Sequence, residues 1–86
     1  MTDPAEIEEA ILRLVAERPD KTIDPAAVAR AVAGDGSEQW GPVMQPLRRV
    51  AVRLAKEGRL VIYRKGRPVD PDDFKGVYRL GPARLD

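Results

Sequence analysis

The stretch PLRRVAVRLAKEGRLVIYRKG, Pro46 to Gly66, constrains the fold more than any other part of the chain. Stepping about 100° per residue around a helix, Leu47, Val50, Ala51 and Leu54 gather on one side. Gln45, Arg49 and Lys56 fall opposite, with Arg48 and Arg53 toward the flanks. An apolar stripe buries one side of a helix, and an arginine-rich opposite side presents it to something acidic. Gly58 stops the helix, and the β-branched run Leu60 to Arg64 reads as a strand. Arg64, Lys65 and Arg67 then flank the turn-forming Gly66. A helix in front of a basic two-stranded hairpin is how a winged helix-turn-helix meets nucleic acid.

The upstream residues supply the rest of that fold. Asp3-Pro4-Ala5-Glu6 has the form of a helix start, with Asp3 as cap and proline at the first helical position. Ile7, Ala10, Ile11, Leu14 and Val15 repeat at helical spacing to about Glu17, and Arg18-Pro19 ends the element. Lys21-Thr22-Ile23 is a short link with the makings of a minimal strand. Asp24-Pro25 repeats the cap-plus-proline signal, and Ile23 and Val28 fit a hydrophobic staple. Gly34 ends this second helix, and Ser37 opens an irregular or one-turn lead-in through Met44. Pro42 and Pro46 cannot both lie deep in one regular helix, so the third helix is expected at Pro46 to Glu57.

After the strand, Arg67 to Gly76 reads as a long loop and Val77 to Leu80 as the returning strand. Phe74 is expected to pin that loop to the body, and Tyr63 and Tyr78 to pair across the hairpin. Trp40 and Met44, four apart, read as cover for the core between the second and third helices. The expected architecture is α+β: one winged helix-turn-helix domain over residues 1–80, three helices and then a β-hairpin, with 81–86 a frayed tail.

Composition narrows the function. The chain has 86 residues, enough for one core. It has no cysteine and no histidine. That removes disulfides, thiolate chemistry, the commonest metal ligand and the commonest general acid/base. There is no phosphate-cradling glycine motif and no nucleophile–base pair, so no enzymatic activity, metal or cofactor is expected. The acidic N-terminus is unlike a signal peptide, and no apolar run is longer than the four residues Leu60 to Tyr63, so a cytoplasmic protein without membrane contact is expected. Net charge is +1 but unevenly spread: residues 1–41 carry −5 and residues 42–86 carry +6. A split of this kind points to a polyanion-facing surface on the second half, or to an ordinary solvated one.

The candidate nucleic-acid contacts are Gln45, Arg48, Arg49, Arg53 and Lys56 on the third helix and Arg64, Lys65 and Arg67 on the hairpin. Gln45 and Arg48 lie near the helix N-terminus, where base edges are usually read. Arg49, Arg53 and Lys56 are spaced to follow phosphates. Against this, Asp70, Asp72 and Asp73 follow the basic turn and would repel phosphate; Asp70-Pro71 also fits a capped helical turn facing solvent. Duplex DNA is the first partner expected, and an acidic protein surface docked on the same helix is the alternative. No heptad or extra helix offers a dimerisation element, so a monomer is expected.

One family shares these residues. Trp40-x3-Met44-x-x-Leu47-Arg48-Arg49-Val50-Ala51, the string LAKEGRL from Leu54, KGRPVDP from Lys65 and the closing GVYRL from Gly76 resemble a group of small bacterial proteins, the domain of unknown function numbered thirty-two fifty-three. TIDPAAVARAV, from Thr22 to Val32, is similar too. The resemblance implies a compact winged-helix domain and brings no activity, ligand or catalytic residue. Gly41 departs from it, standing where the family pattern has an arginine.

Overall fold

A computed structural model describes residues 3–83. Helix α1 (Pro4–Glu17) starts where the cap signal stands: Asp3 has extended backbone and its Oδ1 accepts the Ala5 N–H at 2.9 Å. Helix α2 (Pro25–Ala33) begins the same way, with Asp24 Oδ1 accepting from Ala26 N at 2.9 Å. Each cap satisfies an N–H that the first helical turn leaves without a partner, and each following proline has no N–H to satisfy.

The lead-in to the third main helix is a single turn, α3 (Ser37–Trp40), and a 3-10 turn over Gly41–Val43. Helix α4 (Met44–Lys56) follows without a break, because Val43 and Met44 keep right-handed helical backbone. It therefore starts two residues before the expected Pro46. Pro46 is its third residue, still in the first turn, where a missing N–H costs no helical bond. At the other end Gly58 N donates to Ala55 O at 3.0 Å and Arg59 N to Leu54 O at 2.9 Å. That paired closure stops the helix where the glycine predicts it.

Strand β1 (Leu60–Arg64) turns at once into β2 (Arg67–Pro68), and β3 (Arg79–Pro82) returns on the other side. The sheet is antiparallel in the order β2-β1-β3. Ile62 pairs with Leu80 and Tyr63 with Arg79, while Arg64 pairs with Arg67 around the turn. Ile23 adds a one-pair bridge to Leu80 through bonds of 2.7 and 2.9 Å, which is the minimal strand expected before α2.

Three expectations are corrected here. The sequence places all of Arg67 to Gly76 in a loop, but Arg67 and Pro68 pair with β1. The returning strand is offset by two residues from Val77–Leu80, so Gly81 and Pro82 belong to β3 and are not a tail. Residues 84–86 of the expected tail lie outside the described residues. Tyr78 does not face Tyr63; its ring meets Phe74 edge-on, with centroids 5.3 Å apart. That aromatic contact takes Tyr78 into the core and delays the strand.

The core is built as the helical spacing requires. Ile7 and Ile11 of α1, Val28 of α2, Leu47, Ala51 and Leu54 of α4 and Leu60, Ile62 and Leu80 of the sheet are all buried. Phe74 is buried as well and holds the long loop to the body. Trp40 and Met44 cover the core from the side. The fold is α+β, three main helices against a small antiparallel sheet.

Candidate functional site

Helix α4 carries four cations and no acid from Met44 to Lys56. Its inner side is fixed by the burial of Leu47, Val50, Ala51 and Leu54. Gln45, Arg49 and Lys56 are consequently exposed, within an arc of about 40° on the opposite side. Val52 lies beside them, half-buried.

The structure separates the expected contact residues by what already holds them. Arg48 is not an open reader of base edges. Its Nη2 donates to the Phe74 carbonyl at 2.8 Å, and its guanidinium lies 4.0 Å from the Phe74 ring centre and 5.7 Å from that of Tyr78. The half-buried guanidinium thus ties the long loop to α4, a partly desolvated cation–π arrangement. Nothing local in the sequence signals this, since the partner lies 26 residues away.

Arg53 turns toward α1. It pairs with Glu8, and with Glu57 at 3.2 Å. Arg59 joins the same group at 3.8 Å from Glu8 and 3.5 Å from Glu57. The hydrogen bond from Arg53 holds the Glu8 carboxyl below its ordinary value of 4.5. Glu8 in turn, and then Glu57, raises Arg53 further above its ordinary value. Lys56 Nζ stands 2.9 Å from Asp72 Oδ1. Among the described residues, Arg49 is the cation of α4 left without an acidic partner or hydrogen bond.

The hairpin is tighter than expected. Lys65 and Gly66 both have positive φ, 52° and 79°, as a two-residue turn between right-twisted strands requires. Lys65 and Arg67 are exposed at this turn. Arg64 is half-buried, and its Nε donates to the Val77 carbonyl at 3.0 Å. The acids after it form the capped turn the sequence allows: Asp70 Oδ1 accepts from Asp72 N at 2.9 Å, and Asp73 N donates to Asp70 O at 3.0 Å. Asp72 was legible as a repelling charge but not as the partner of Lys56, which is set by the path of the loop.

Two other features lie away from α4. An open groove of about 500 Å³ is lined by Pro19, Lys21, Thr22, Tyr63, Pro82 and Gly66 of the hairpin turn, and no α4 residue borders it. The Tyr78 hydroxyl is buried without a hydrogen-bond partner, and burial pushes it above its ordinary value of 10.0. No three acidic side chains group as a metal site among the described residues, and no helix there is long and apolar enough to cross a membrane.

A surface of this kind can attract a polyanion through Arg49, Lys65 and Arg67 and can offer the Gln45 amide for hydrogen bonding. Compared with known families, residues 4–83 match one described as Protein of unknown function (DUF3253). No curated protein matches the chain.

Proposed function

The chain belongs to the DUF3253 family; since that family lends it no activity, we propose from its own surface that it is a winged-helix domain binding duplex DNA. The exposed face of α4 enters the major groove, and the Lys65-Gly66 turn with Arg67 reaches the flanking backbone. The observation that carries this reading is a helix with four cations and no acid, buried on one side and exposed at Gln45 and Arg49 on the other. The element order supports the winged-helix assignment: α1, a bridging residue at Ile23, α2, α4 and then an antiparallel hairpin closed back on that bridge.

The internal partners of Arg48, Arg53, Lys56 and Arg64 reduce the charge on offer. They favour a second reading, in which the same helix docks an acidic protein surface. Duplex DNA remains ahead because Arg49, Lys65 and Arg67 are exposed and have no acidic partner among the described residues.

A titration of wild type and Arg49→Glu against one labelled duplex, at about 50 and 200 mM salt, separates the two. Neutralisation by Arg49, Lys65 and Arg67 gives a log–log salt slope of roughly −3, and Arg49→Glu weakens binding to every sequence by about tenfold or more. No measurable binding by wild type at about 50 mM salt would overturn DNA binding and leave the acidic-partner reading.

A further inference from the structure

The loop after β2 carries more than a covering for α4. Asp72 and Lys56 form their pair with both side chains more than half exposed, 61% and 54%. A pair so exposed contributes little to holding a fold together. The acid is nevertheless positioned with care. Pro71 restricts the turn, and Asp70 accepts from Asp72 N and from Asp73 N. Just beyond, Phe74 is buried, and its carbonyl is taken by Arg48 of α4. On the near side Val69 N is bonded to Ile62 O at 3.0 Å. The carboxylate is therefore held on a short arm anchored at both ends, whereas the lysine is free to reach elsewhere.

We infer that Asp72 is the specificity-determining residue of the α4 surface, an electrostatic filter that withholds Lys56 from any polyanion unable to outcompete it. This rests on the DNA-binding reading above. Arg49 is open to every duplex, while Lys56 is released only where a phosphate lies well placed to draw it from Asp72. The filter lowers binding to DNA in general more than binding to a duplex that fits.

The counterion stoichiometry tests it. A mixed-sequence duplex is titrated across 50–200 mM salt with wild type, Asp72→Asn, Asp73→Asn, Lys56→Gln and the Lys56→Gln/Asp72→Asn double variant, with thermal melts confirming that each is folded. Freeing Lys56 adds one phosphate contact, so Asp72→Asn tightens binding by about three- to tenfold and steepens the slope by about 0.9. The double variant returns to the wild-type slope. Asp73, without an ion pair among the described residues, is the control for net charge: Asp73→Asn tightens binding less and leaves the slope unchanged. A slope unchanged in Asp72→Asn, or steepened equally in Asp73→Asn, overturns the filter while leaving DNA binding intact. Binding by neither wild type nor Asp72→Asn overturns both readings.

Discussion

Gly81 lies in the middle of β3 with a φ outside the left-handed region, so its backbone accepts any residue. What excludes a side chain is Tyr63: a Cβ at Gly81 would come within 2.7 Å of Cε2 of that ring. The glycine lets the ring lean across the sheet, as aromatic residues do over strand glycines. Gly81→Ala should therefore destabilise by about 1 kcal/mol, the cost of displacing the ring outweighing the gain in strand propensity. In a Tyr63→Ala background the same change should become neutral or stabilising by about 0.5 kcal/mol. Equal effects in the two backgrounds, measured by denaturant melts, would refute the contact. Residue-scale roles of this sort were hidden in the sequence. Arg48 looks like any cation of an amphipathic helix until the chain brings Phe74 under it.

Elements were far more legible, because their signals are local. Asp3-Pro4 and Asp24-Pro25 announce their helices by chemistry that acts within one turn, and Gly58 ends α4 for the same reason. The α4 register follows from spacing alone, and it fixes a contrast. Leu54, fully buried, should cost about 2–5 kcal/mol when changed to Ala. Lys56→Ala should stay within about 0.5 kcal/mol of wild type, its ion pair being exposed. Denaturant melts giving the reverse order would be incompatible with the packing of α4. The strands were less legible. The Lys65-Gly66 turn leaves only two residues to β2, too few for a visible alternation, and the start of β3 depends on the distant Phe74–Tyr78 contact. Between elements, Glu8 joins α1 to α4 through Arg53. Its pKa in the folded state is depressed, so its contribution is present above the ordinary value of 4.5 and is lost as pH falls through the lower folded value. The stability gap between wild type and Glu8→Gln should accordingly be open at neutral pH and close in acid. A gap that is constant with pH in urea melts would show that the Glu8 charge plays no part.

At the scale of the whole molecule, the uneven charge of the two halves is partly cancelled where they meet. Glu8 from the acidic half answers Arg53 and Arg59 from the basic half, and what remains open is the Arg49 side of α4 and the Lys65-Gly66 turn. Among the described residues, four of the eight candidate side chains have no ion pair or hydrogen bond: Gln45, Arg49, Lys65 and Arg67. The sheet carries a different consequence. An open strand edge is a row of unpaired N–H and C=O groups that can recruit another chain. Here one edge is β2, only two residues long and ending in Pro68. The other is β3, which is occupied at Leu80 by Ile23 and closes with Pro82. Proline offers no N–H to a neighbouring strand. A domain with so small a sheet thus leaves neither border long enough to template growth, and resistance to edge-to-edge aggregation is built into the same short strands that shape the hairpin.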